Sequence, residues 1–317
     1  MALLMPGEVA GAAAGAGGKK ADLSIGRMLV LGILAGVYIG FGANLATTVG
    51  SDAAKFVGNG FGQLLFGGVF AVGLMLVVIG GAELFTGNNM FMVVGALEGT
   101  NSWGDLLKNW VVVWIANFLG SLLLVGLVYG AFYGPESVGL FKGAVGSKAL
   151  LVAKGKLELS WSAAFYRAIL CNWLVCMAVW LALASKDVGG KVWAIWFPIM
   201  AFVACGFEHS VANMYFIPMG LELSNLPDVV AVAAKSVLTP DQAALAASGA
   251  ALPPEAVQAM KDFTMKVGEL FTWKNFLVNN LIPVTLGNIV GGGFFVGSLY
   301  WYAYMKKTSE AQENAKA

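Results

Sequence analysis

Six mainly apolar stretches run through this chain, at 28–50, 61–85, 106–133, 161–185, 192–221 and 275–305. Roughly 20 apolar residues in a helix span the hydrocarbon core of a bilayer. No stretch alternates polar and apolar residues as a barrel strand does. In lipid the backbone must satisfy its own hydrogen bonds, so the pattern predicts an all-α membrane protein with six transmembrane helices. Composition agrees. Of the 317 residues 58% are hydrophobic and only 12% are charged, about half the charge of a soluble domain. A soluble protein, a nucleic-acid binder and a disordered chain are all excluded. Cys171, Cys176 and Cys205 lie in apolar runs with no metal spacing and no disulfide framework. The single histidine, His209, excludes a bis-histidine haem within one subunit, and so argues against a haem-carrying anchor of a respiratory enzyme. No cofactor and no metal site are expected, and no enzyme activity.

The polar segments are modest. Residues 1–20 are mostly Ala and Gly, and the pair Lys19-Lys20 follows them rather than leading. That order is the reverse of a secretory signal. Residues 1–26 are expected to be a cytoplasmic segment, either disordered or a short surface helix. The loop 134–160 carries Lys142, Lys148, Lys154 and Lys156. The segment 222–274 is Ala-rich, has helical stretches such as 254–266, and lacks both His and a Gly-rich phosphate loop. It is expected to be an extramembrane insertion within a transmembrane domain 27–306, with a tail at 307–317. Lysines near the short loops tilt the orientation toward both termini inside a cell inner membrane.

A repeat is visible across the two halves. Gly81-Ala-Glu83-Leu-Phe-Thr-Gly-Asn88 and Gly206-Phe-Glu208-His-Ser-Val-Ala-Asn213 share the pattern G-x-E-x4-N, 125 positions apart. Asn109, Asn117 and Gly120 recur with the same spacing as Asn280, Asn288 and Gly291, 171 positions on. The larger offset absorbs the 222–274 insertion. The chain therefore reads as three helices duplicated, and an odd number of spans per half inverts one half relative to the other. Gly- and polar-interrupted spans at matching places point to a transport site near the bilayer midplane.

Several residues in and near the interruptions could carry chemistry. His209 is ionisable at membrane depth. Glu83 and Glu208 can accept freed backbone N–H groups and pin the broken segments together with Asn88 and Asn213; a proton relay or a cation site is the alternative. Thr86 to Asn89 lack a helical pattern and suggest a non-helical loop lining a cavity. Thr86 can donate to an anion. Asn172 can do the same, or can join two helices by a hydrogen bond. The four lysines of 134–160 either gather anions or meet lipid headgroups. Phe70, Leu74, Leu84, Phe85 and Phe202 could form dry constrictions, or could be ordinary lipid-facing or core residues.

Gly81 to Asn88, Cys171-Asn-Trp-Leu-Val-Cys176, Gly206 to Met214, and Asn280-Leu-Ile-Pro-Val-Thr-Leu-Gly-Asn-Ile-Val-Gly-Gly292 together resemble the formate/nitrite transporter family. The resemblance spans about 27–306. It implies an aquaporin-like fold of two inverted three-helix repeats with helices 2 and 5 interrupted. It also implies assembly as a homopentamer in membrane lipid and passage of small monovalent anions: formate first, then nitrite, acetate, lactate or hydrosulfide. Through it His209 matches a central pore histidine, Thr86 the threonine facing it, Asn172 a nearby asparagine and Lys156 a vestibule lysine. Leu74, Leu84 and Phe202 match constriction residues, as do Phe70 and Phe85. Asn288 matches a sixth-helix asparagine of open role. A pH-dependent anion channel is the expected function, with the anion passing as its neutral acid through His209. A neutral-solute pore of the same fold is the alternative of another class, and no nucleic-acid partner is expected.

Overall fold

Helix caps are written into the residues just ahead of the apolar stretches. The structure, a computed structural model, describes residues 3–134 and 139–306; the tail expected at 307–317 lies outside the described residues. The order begins with α1 (Pro6–Ala21), α2 (Ile25–Val49), α3 (Ala53–Phe70), α4 (Val72–Gly80), α5 (Phe85–Glu98) and α6 (Trp103–Phe132). It continues with α7 (Ala144–Leu157), α8 (Trp161–Ala184), α9 (Val188–Ala204) and α10 (Ser210–Leu223), then α11 (Pro227–Ala234), α12 (Pro240–Ser248) and α13 (Pro254–Leu270). The last run holds π-helical turns at Asn275–Leu281, α14 (Ile282–Ile289), further π-helical turns at Val290–Ser298, and α15 (Leu299–Tyr304). Ser24, Ser102, Ser160 and Asp187 accept from the first-turn N–H groups of α2, α6, α8 and α9. Their side-chain oxygens satisfy donors that a helix start leaves open.

Among the described residues five helical runs are long and apolar enough to cross a membrane: α2, the α3–α4 run Ala53–Gly80, α6, α8, and the run Asn275–Tyr304. The stretch 192–221 does not form one long helix. Its first part is α9, whose 17 residues reach only about 26 Å; a break follows, and then α10.

Several helix pairs approach backbone to backbone at glycines, and two of these crossings match. A Cβ on Gly120 of α6 would overlap the Ile33 carbonyl of α2, and one on Gly291 would overlap the Ile169 carbonyl of α8. Small residues at such crossings let dispersion contacts form where lipid supplies no hydrophobic drive. Gly291 follows Gly120 by 171 positions and Ile169 follows Ile33 by 136, so both crossings are built from corresponding residues.

Three segments depart from the sequence expectations. The described part of the N-terminal segment is neither disordered nor a superficial helix. α1 packs along α5 with Val9, Ala10, Ala13 and Ala14 buried. Its stripe of small side chains is weakly hydropathic, yet it lets the helix come close. The loop 134–160 contains α7, which buries Val145, Leu150 and Ala153. Finally, Thr86 to Asn89 lie in the first turn of α5 rather than in a loop; the non-helical backbone is confined to residues 81–84. Gly87 and the paired asparagines hid the helix from a pattern reading, because packing overrides weak propensity.

The segment 222–274 sits on α7. α13 buries Ala256, Phe263 and Val267, Lys154 lies over the Phe263 ring at 5.7 Å, and Lys266 pairs with Glu158.

Candidate functional site

The candidate site is built on two broken helices. After α4, Gly81 turns left-handed (φ 84°), and after α9, Gly206 does the same (φ 70°); a Cβ at either position would be strained. Leu84 (φ −109°, ψ 123°) and His209 (φ −112°, ψ 118°) are then extended and cap α5 and α10. These breaks expose backbone polar groups in an apolar interior, where each unpaired group is costly. One asparagine serves each break. Asn117 Oδ1 accepts from Phe85 N at 2.9 Å, while its Nδ2 donates to the Glu83 and Gly32 carbonyls at 2.9 and 2.8 Å. Asn288 Oδ1 accepts from Ser210 N at 2.8 Å, while its Nδ2 donates to the Glu208 and Ala168 carbonyls at 3.0 and 2.9 Å.

Both glutamates are buried, but the bonds found for their carboxylates come from side chains rather than from the backbone N–H groups expected. Asn88 Nδ2 donates to Glu83 Oε2 at 2.8 Å and to Asn109 Oδ1 at 2.8 Å. Asn213 Nδ2 donates to Glu208 Oε2 at 2.6 Å and to Asn280 Oδ1 at 2.8 Å. A lysine completes each set. Lys20 Nζ lies 2.6 Å from Glu83 Oε1 and 5.3 Å from the Phe91 ring centre; Lys156 Nζ lies 2.9 Å from Glu208 Oε1 and 5.4 Å from the Phe216 ring centre. Lys20 was missed by the sequence reading. Its signal was present: Lys156 follows Lys20 by 136 positions, the same offset that relates Ala168 to Gly32. α1 and α7 thus each place a lysine on a break glutamate at that offset.

Between the breaks, Thr86 Oγ1 and His209 Nε2 lie 3.0 Å apart, both buried. His209 Nδ1 accepts from Ala212 N at 3.0 Å. An amide N–H can only donate, so Nδ1 carries no proton there, and a neutral ring holds its proton on Nε2, facing Thr86. Asn172 stands behind Thr86. Its Nδ2 donates to the Thr86 carbonyl at 3.1 Å, to Asn89 Oδ1 at 3.1 Å and to the Asn288 carbonyl at 2.7 Å. Three acceptors share its two hydrogens, so the amide braces α5 and the last helical run against α8.

Two cavities open toward this centre and share no lining residue. One, of about 350 Å³, is lined by Phe70, Phe202, His209, Lys156 and Glu208 among others. The other, of about 240 Å³, is lined by Leu74, Leu84, Lys20 and Glu83 among others. Thr86 and Asn172 line neither. Phe70 meets Phe202 edge-on at 5.8 Å, and Phe202 stacks on His209 at 5.9 Å. Phe85 is buried but faces Trp110 at 6.3 Å instead of either cavity. Of the four lysines of 134–160, Lys156 and Lys148 line the larger of these two cavities. Lys154 pairs with Glu158 at 2.8 Å, and Lys142 lines a separate cavity of about 470 Å³ beside Tyr129 and Asp228.

This arrangement can attract an anion at either end and offer it hydroxyl and imidazole donors in a dry middle. Comparison with known proteins agrees with it. The formate/nitrite transporter family model matches residues 7–302. A probable formate transporter of Methanothermobacter thermautotrophicus is 42% identical, over 95% of this chain and 97% of its own. The formate channel FocA of Escherichia coli (strain K12) is 34% identical over 96% of each chain. A solved pentameric formate channel with formate bound superposes with a TM-score of 0.68 at 33% identity, covering 89% of this chain and 98% of that one. The chain is a membrane protein that belongs to the formate/nitrite transporter family.

Proposed function

We propose that the chain is a pH-dependent channel for small monovalent anions, with formate as its first substrate and nitrite as the alternative within the family. The observation that carries this is the Thr86–His209 pair, held at 3.0 Å between two separate cavities that each contain a lysine. A lysine-bearing vestibule gathers the anion. Past the lysines, where the lining turns apolar, desolvation raises the pKa of a carboxylate, so the anion takes up a proton from water more readily as it leaves the vestibule. The neutral acid then meets the Phe70, Phe202, Leu74 and Leu84 constrictions at a much smaller desolvation cost than the bare ion. His209 and Thr86 supply the hydrogen bonds that water no longer gives, and Asn172 holds Thr86 in place. The names of the relatives favour formate.

The same proposal covers the frame. Contacts recurring at constant offsets support six spans arranged as two inverted three-helix repeats, aquaporin-like, with the second and fifth interrupted at Gly81 and Gly206. The channel domain is 27–306, with 222–274 as an extramembrane insertion. The pentameric relative supports a homopentamer. Both termini face the cytoplasm from an inner membrane. The test is formate and nitrite flux into proteoliposomes loaded with a pH dye, across about pH 5 to 8. Anion-dependent internal acidification that grows as external pH falls is expected. Absence of flux with both anions, in folded protein, would overturn the assignment.

A further inference from the structure

We propose that Lys148 and Arg167 form a second anion subsite in the larger, His209-bearing vestibule, which captures small oxyanions ahead of Lys156; the proposal rests on the anion-channel function above. Four charged side chains line this cavity: Lys148, Lys156, Arg167 and Glu208. Lys156 is already engaged by Glu208 at 2.9 Å and by the Phe216 face. Its charge is largely compensated before any anion arrives.

Among the described residues the other two cations have no carboxylate partner. Among the described residues Lys148 has no carboxylate within ion-pair distance, and the Phe66 ring at 5.7 Å is the one contact found for its ammonium. It is half-buried, and burial pushes its pKa down. An ammonium in that condition gains from any anion that approaches it. Arg167 donates through Nη1 to the Gly206 carbonyl at 3.4 Å, which leaves most of its five donors for a ligand. The exposed amide of Gln63 lines the same cavity. At about 350 Å³ the space holds an anion together with several waters of about 30 Å³ each.

The opposite mouth lacks this equipment. Residues 136 positions before Lys148 and Arg167 are Ala12 and Leu31. The charged lining there is Lys20, Lys191 and Glu83, with Lys20 on Glu83 and Lys191 donating to the Ala182 carbonyl at 3.1 Å. Three cations against one carboxylate face two against one. Lys148 and Arg167 are thus additions to one vestibule of a duplicated frame.

The experiment is formate flux into proteoliposomes as a function of formate concentration, at about 10 mM and about 150 mM salt, where the screening length falls from about 30 Å to 8 Å. Wild type is compared with Lys148→Gln, Arg167→Gln, the double variant and Lys148→Arg. The half-saturating concentration should rise about fivefold in the double variant, more than the maximal rate falls, and its salt dependence should flatten. Lys148→Arg should restore both. An unchanged half-saturating concentration and salt dependence in the folded double variant would overturn the subsite while leaving the channel. Wild type that carries neither formate nor nitrite would overturn the channel. In that event calorimetric titration of formate into wild type and into the solvent-facing Arg167→Gln variant still decides the subsite, with equal binding counting against it.

Discussion

Thr86 Oγ1 and His209 Nε2 meet at 3.0 Å, and neither has a polar counterpart in the other half. The residues 125 positions away are Val211 and Leu84, and the position 136 before Asn172 is Gly36. The residues that recur at fixed offsets hold the broken helices; the polar centre has no such recurrence. Thr86→Val keeps the shape and removes the hydroxyl. A hydrogen bond of about 1.5 kcal/mol lost by a permeating solute corresponds to roughly tenfold less flux. Thr86→Ser should retain most of it. His209→Phe keeps the stack on Phe202 but leaves Ala212 N without its acceptor, and should alter the pH response of flux. An unchanged pH profile in that variant would remove His209 from the mechanism.

Lys20–Glu83 and Lys156–Glu208 are both buried ion pairs, with carboxylate side chains 8% and 4% exposed. Removing one partner of such a pair leaves an uncompensated charge and costs about 3–5 kcal/mol. Lys20→Met and Lys156→Met should each lower the unfolding temperature in detergent. Adding Glu83→Gln or Glu208→Gln, respectively, should recover more than half of the loss. Additive single and double effects would mean that the pairs are not coupled.

The extent to which this was readable in advance follows the physics of each residue. Apolar stretches showed where the long helices run, because a membrane span carries its signal in composition. Glu83, Glu208, Asn88 and Asn213 stood out as a spaced repeat of polar residues in apolar surroundings. α1 did not, since an Ala/Gly helix has little hydropathy, and its packing on α5 depends on surfaces distant in sequence. Lys20 was hidden for the same reason. Asn172 was legible as a buried amide, yet its three acceptors belong to α5 and the last helical run, so bracing became visible only in three dimensions. Asn117 and Asn288 were seen as repeat markers, but that each one satisfies both sides of a helix break is a matter of geometry.

α13 gives the segment 222–274 a structural task. Phe263 is buried beneath it, and Lys154 of α7 lies over its ring. Phe263→Ala leaves a cavity worth about 3–5 kcal/mol. Because α7 carries Lys156, the loss should appear as faster hydrogen exchange in α7, with exchange in α8 little changed. Equal exchange in α7 before and after the substitution would separate the insertion from the vestibule.

Lys148 also predicts an alkaline limit. Burial disfavours its charged form and holds its pKa below the usual lysine range. The ammonium is present below that pKa and lost as pH rises through it, so the vestibule sheds positive charge at a lower pH than an ordinary lysine would allow. Facing it in the same cavity, Arg167 donates to the Gly206 carbonyl at 3.4 Å, and Lys156 is held on Glu208 at 2.9 Å. Formate binding should therefore weaken in wild type at a lower pH than an ordinary lysine would set, and weaken less in Lys148→Arg, whose guanidinium stays protonated through the lysine range. The measurement is calorimetric titration of formate at several alkaline pH values. Parallel decline in the two proteins would assign the loss to another group and leave Lys148 without a part in capture.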